Sequence, residues 1–149
     1  MRSRWRKFRA LSMTERNLLV EATFALGGAR LALICVPFRR IAAWLGCLGI
    51  ESSTSVSSFH DAMAKQVGWA IETMSRHLPW QCRCLAQALA AWWMLNRRGI
   101  TGTIYFGVAN APAKPFSAHA WMRCGSRVVT GGNNRERFRV LACFARNEI

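Results

Sequence analysis

The sequence predicts an α+β domain in which helices come first and an antiparallel sheet follows. Up to Gly99 the apolar residues recur at helical steps; beyond it they gather in short runs rich in branched and aromatic side chains. Composition supplies the second observation. The chain has 149 residues, 52% of them hydrophobic, with seven Trp and eight Phe, enough to bury a core and to set aside wholesale disorder, collagen and coiled coil. The length points to one domain.

Each element can be justified in order. Ser12 and Glu15 form an S-x-x-E pattern, in which each side chain satisfies an orphan backbone donor at a helix start. The first long helix therefore begins near residue 13 and ends before Pro37. Its apolar stretch, Asn17 to Phe38, is interrupted by Glu21 and Arg30 and weakened by Gly27-Gly28. It falls short of a membrane span and reads as a buried or surface-seated helix. FRRIAAWLG is a short second helix stopped by Gly46, and residues 51–58, with five serines, form a loop or linker.

From Phe59 the residues Phe59, Met63, Val67, Ala70, Met74 and Leu78 fall on one helix face, capped by Ser57 or Ser58 and broken by Pro79. A further helix runs from about residue 82 to 98, with Arg97-Arg98 at its negative end and Gly99 terminating it. Strands follow at 103–108, 118–124, 127–130 and 137–144, with Gly125-Ser126 as a tight turn. Two regions result: 1–58, a basic helical N-terminus with its Ser-rich linker, and 59–149, the core.

The net charge of +14 calls for an acidic partner, nucleic acid or anionic lipid. Five of the first ten residues are basic (Arg2, Arg4, Arg6, Lys7, Arg9), the mark of a cationic tail. No RNA-binding signature, Cys/His finger or basic zipper accompanies them, which argues against nucleic acid. Arg135, Arg137 and Arg139 are expected to alternate along the last strand, where they could meet an acidic precursor. Cys35, Cys47 and Cys143 sit in apolar runs, as thiols that behave as small hydrophobes do. With no secretory signal and no C-x-x-C pair, a cytoplasmic chain without disulfides, metal or cofactor is expected.

Cys84 opens the helix that precedes the sheet. There the peptide dipoles and free backbone N–H groups favour a thiolate and lie where an oxyanion would form, and Arg83 pushes the same way. Cys82, two residues away, points in a different direction and reads as packing. Of three histidines (His60, His77, His119), only His119 falls in a strand. With a helix-start Cys before it in the chain, it is a candidate base for activating a thiol. Trp92-Trp93 and Trp121 read as core.

These residues carry a resemblance. The run LPWQCRCLAQALAAWWMLNRRGITGTIYFGV, then AHAWMRCGSRVVTGG, resembles the transglutaminase-like cysteine proteases that remove leaders in lasso peptide biosynthesis. The matching elements are Pro79-Trp80, Cys84-Leu85, Arg97-Arg98-Gly99, Gly107-Val108 and Ala118-His119-Ala120-Trp121, extended upstream by Val36-Pro37-Phe38-Arg39-Arg40. The resemblance implies a papain/transglutaminase-like core, its nucleophile helix packed on a small antiparallel sheet, with Cys84 as nucleophile and His119 as general base. It implies the lasso precursor peptide as substrate and an ATP-dependent, asparagine-synthetase-like macrolactam cyclase as partner. The leader-binding domain that some relatives carry finds no room here, so a separate leader-binding protein is expected.

One departure stands out: the family's usual Asp, twelve residues beyond the His, is Gly131 here, and the chain's single Asp is Asp61. Either Asn133 or another polar group orients His119, or the pair works as a dyad, or activity is weakened. Two other readings use the same chain: a basic non-catalytic scaffold, with a membrane surface as the partner its N-terminus suits, or an amide-forming acyltransferase using the same Cys-His pair.

Overall fold

In the computed structural model, which describes residues 2–111 and 114–147, helices gather on a mixed-order antiparallel sheet. The helices are α1 (Arg2–Ala10), α2 (Met13–Cys35), α3 (Phe38–Leu45), α4 (Ser58–His77) and α5 (Cys84–Asn96). The strands are β1 (Cys47–Leu48), β2 (Thr103–Ala111), β3 (Lys114–Cys124), β4 (Arg127–Thr130) and β5 (Arg139–Ala145), in the order β1-β5-β2-β3-β4 with every pairing antiparallel. This is the α+β class expected.

Local signals explain the helix ends. α2 begins at the expected capping box, with the Glu15 N–H on Ser12 Oγ (3.2 Å) and the Ser12 N–H on Glu15 Oε2 (2.8 Å). It stops at Cys35, ahead of Pro37. Ser57 Oγ accepts from the His60 N–H to start α4. The basic N-terminus, expected as a tail, is helix α1. Arg16 anchors it, donating from Nε to Leu11 O at 3.1 Å and from its terminal nitrogen to Arg9 O at 2.5 Å.

α5 is the central helix. Eight of its thirteen residues are buried, four of them alanines that let neighbours approach closely. α2 and α4 pack on it from one side and β3 and β4 from the other. One hydrophobic cluster joins Leu26 and Ile41 to Val67, Ile71, Leu95, Ile104 and Met122, drawing on both sides of residue 58. At the C-terminal end of α5, the Arg98 guanidinium grips Glu21 of α2 with two hydrogen bonds (2.7 and 2.6 Å).

Several expectations are corrected. Residues Arg135–Arg137 form a 3₁₀ turn, entered through Asn134 at φ +59°, so Arg135 and Arg137 do not alternate with Arg139 on a strand. A left-handed residue turns the chain and delays β5 to Arg139. Cys35 and Cys47 are exposed and Cys143 is half-buried, while Cys124 is the buried thiol: the apolar run of α2 extends around the helix beyond its buried side to Cys35, and Cys47 and Cys143 lie on the β1 and β5 strands at the sheet edge. Phe59, expected on the packed face of α4, is also exposed; the buried face is Ala64, Val67, Ala70 and Ile71. β1, two residues long, is too short to leave a pattern.

The Ser-rich stretch has no regular structure, as expected, yet it is held to the sheet. The Ser52 N–H donates to Thr103 Oγ1 (2.9 Å), and both side chains are buried. Arg123, at the C-terminal end of β3, donates to Ser52 O (3.0 Å) and the Tyr105 hydroxyl (2.9 Å). Gly125 turns β3 into β4 at φ +58°, and a Cβ there would lie 2.5 Å from the Val56 side chain of the same loop.

Candidate active site

α5 spans Cys84–Asn96, starting two residues later than the expected position near residue 82 and ending two before the expected 98. Arg83 is its N-cap and makes no side-chain cap bond. The first-turn N–H groups are therefore left without the usual Ser, Thr or Asp acceptor. The loop ahead of the helix is tied at two adjacent residues: Arg30 of α2 donates to Gln81 O (2.7 Å) and Gln87 Nε2 donates back to Cys82 O (2.8 Å). Cys84 is half-buried against the core. Burial pushes the Cys82 thiol up, which keeps it protonated near neutral pH.

His119 stands on β3 opposite Gly107 of β2. Strand alternation puts it on the same sheet face as Trp121, which it stacks against (centroids 5.8 Å), and as Tyr105, which stacks on Trp121 in turn (5.5 Å). Phe138 lies 4.9 Å from its ring. The other face of β3, with Ala120, Met122 and Cys124, belongs to the core shared with α5. His119 thus lies on the face of β3 turned away from the core that α5 shares, and among the described residues no hydrogen bond joins its imidazole to the Cys84 thiol.

The second ring nitrogen has a definite partner: Nε2 lies 2.7 Å from the carbonyl oxygen of Gly131. A carbonyl only accepts, so Nε2 carries the hydrogen and, in the neutral ring, Nδ1 holds the free lone pair. Asn133, expected as an orienter, does not take this bond; its residue is exposed and the backbone two positions earlier serves instead. Asp61 is engaged elsewhere, receiving two hydrogen bonds of 2.8 Å from Arg127 of β4. Gly131 sits at φ +71°, and a Cβ there would lie 2.6 Å from Ala120 O and 2.9 Å from Trp121 Cβ. No side chain fits without moving β3 or the loop.

Trp92 and Trp121 are buried, as expected of core residues, whereas Trp93 is exposed. Among the described residues no three of His, Cys, Asp and Glu gather where they could hold a metal ion. The Gly131 carbonyl is the one member of this group that sequence reading missed. Gly131-Gly132 after a strand signals a turn, but a backbone acceptor carries no side-chain signature.

A family model described as the transglutaminase-like superfamily matches residues 32–143, three quarters of the chain. The chain belongs to that superfamily. No curated protein and no solved structure matches it. The transglutaminase-like segment contains Cys84, His119 and Gly131, and it starts inside α2, leaving α1 and most of α2 outside. A transglutaminase-like domain points to a thiol enzyme of the cysteine protease or acyltransferase type, and its helix-on-sheet architecture is the one seen here.

Proposed function

We propose that this chain is a cysteine endopeptidase that removes the leader from a ribosomally synthesised lasso peptide precursor, acting in the cytoplasm. The observation that carries the reading is Cys84 at the first position of an uncapped, central helix, within a transglutaminase-like domain. The Cys84-Leu85 and Ala118-His119-Ala120-Trp121 motifs supply the lasso-specific part, and with it the partners: a separate leader-binding protein and the asparagine-synthetase-like cyclase that acts on the freed core peptide.

The chemistry follows from the groups present. This chemistry requires the His119 ring to come round to the start of α5; its Nδ1 then takes the Cys84 proton, and the thiolate attacks the scissile carbonyl carbon, moving the π pair onto oxygen. First-turn N–H groups of α5 face that developing charge. The intermediate collapses, the C–N bond breaks, and the imidazolium gives its proton to the leaving amine. Water, deprotonated by the same nitrogen, then adds to the thioester, and the carboxylic acid leaves as Sγ recovers its electron pair.

The test is mass spectrometry of cognate precursor incubated with its leader-binding protein and this chain. Cys84→Ala and His119→Ala are each expected to lower leader release by at least about a thousandfold, with Cys82→Ala close to wild type. Equal release by wild type and Cys84→Ala would sink the assignment. A product joined to an added amine would mark the acyltransferase, and precursor binding without turnover would mark the scaffold.

A further inference from the structure

α2 is apolar on two sides. One side, with Leu18, Ala22, Ala25, Leu26 and Ala29, is buried against α4 and α5. The other carries Met13, Val20, Phe24, Leu31 and Ile34, each between 50% and 73% exposed. Steps of seven, four, seven and three keep these five in one narrow stripe, roughly 30 Å long at the rise of an α-helix. Contrary to the expectation that Glu21 and Arg30 leave it short of a span, the helix has an 18-residue window apolar enough by length and composition to cross a membrane, mean hydropathy 1.7, and only 28% of that window is buried. The apolar surface continues sideways, because Phe24 and Gly28 share a groove of about 350 Å³ with Trp44 of α3 and Trp93 of α5. An exposed apolar face of this extent marks an interaction site.

Charge decides the occupant. Beyond the N-terminal end of α2, α1 exposes Arg4, Arg6, Lys7 and Arg9 together with Trp5, with Arg4, Trp5 and Lys7 bordering a groove shared with Leu19 of α2 and Trp69 and Met74 of α4. At the far end, Arg39 and Arg40 are exposed. The acids of the first fifty residues are Glu15, spent in the capping box, and Glu21, held by Arg98. An apolar stripe bounded by cations, with aromatic residues at its edges, complements an apolar layer under anionic headgroups. A second copy would bring the same positive charge. Spanning is excluded by the packed side of α2, which would have to leave α4, α5 and the Glu21–Arg98 pair.

We propose that α1, the outer face of α2 and α3 seat this chain on an anionic lipid bilayer, with α2 lying in the plane of the interface. The inference does not depend on the peptidase reading, and its test needs no catalysis. The full chain is floated with vesicles of phosphatidylcholine, with or without phosphatidylglycerol, at about 0.1 M salt. Binding is expected only with phosphatidylglycerol. The triple variant Arg4→Gln/Arg6→Gln/Lys7→Gln should weaken it by roughly a hundredfold. Phe24→Ser/Leu31→Ser, two exposed positions, should abolish it even at low salt while leaving the circular dichroism and thermal melt unchanged, with single Leu31→Ser as the milder check. Three outcomes overturn the proposal: no affinity for anionic vesicles, which leaves the stripe to a protein partner; undiminished binding by the stripe variants, which means adsorption by charge alone; or a wild-type dimer that the stripe variants dissociate.

Discussion

Gly131 stands where the sequence resemblance calls for an aspartate, and its carbonyl oxygen receives the Nε2–H of His119 at 2.7 Å. The bond holds the ring and its tautomer as a carboxylate would, but a neutral acceptor offers less stabilisation to an imidazolium than a carboxylate does. Restoring the aspartate is therefore not a repair. At φ +71° with Ala120 O and Trp121 Cβ within 3 Å of any Cβ, Gly131→Asp is expected to cost about 2 kcal/mol or more of stability and to lower leader release, measured by urea unfolding and product mass. Asn133→Ala should leave both near wild type. A Gly131→Asp variant with raised activity, or an Asn133→Ala variant with a lost one, would show that a side chain orients His119 after all. Cys84 and His119 could be read as candidates from the sequence because thiol and imidazole are distinctive side chains. The carbonyl could not, because every residue has one and only the path of the loop selects this one.

Among the elements, the helices were the most legible, since capping residues and prolines act over three or four positions. α2 and α4 start within one residue of the places their serines indicate. β5 was misjudged because the left-handed Asn134 and the 3₁₀ turn after it depend on where the chain must go to join β2 and β1. α4 and β4 are joined by the Asp61–Arg127 pair, where the Arg127 hydrogen bonds hold the Asp61 carboxyl below its usual range. A carboxylate with a depressed folded-state pKa contributes stability that is full above the unfolded value and lost as pH falls through the folded one. Unfolding midpoints below about pH 4 should thus fall more steeply for wild type than for Asp61→Asn, with the two curves parallel near neutrality. Both groups are substantially exposed, so the difference should be small and reduced by salt. Curves that diverge at neutral pH but run parallel in acid would contradict this account.

At the scale of the whole molecule, 21 Lys and Arg face 7 Asp and Glu. Most of the acids are already taken up locally: Glu15 in a cap, and Glu21, Glu51, Asp61 and Glu72 in ion pairs. The remaining positive charge repels itself across a small surface, with a range of about 10 Å at 0.1 M salt. Raising the salt to about 0.5 M should therefore raise the melting temperature of the free protein; a fall would mean that the ion pairs outweigh the repulsion.

The sequence by itself determined the class of fold, the start of α2 at its capping box, the placement of Cys84 at a helix start and of His119 in a strand, and the excess of cations. These are local or additive properties, written in periodicity, caps and counts. Only the tertiary structure decided which side of the doubly apolar α2 is buried, that the Ser-rich loop is clasped by Arg123 and Thr103, that Asp61 serves Arg127, and that the Gly131 carbonyl meets His119. Each of these depends on residues between 12 and 77 positions apart. No local pattern encodes such a pairing; it follows from the packing of α5 between the helices and the sheet.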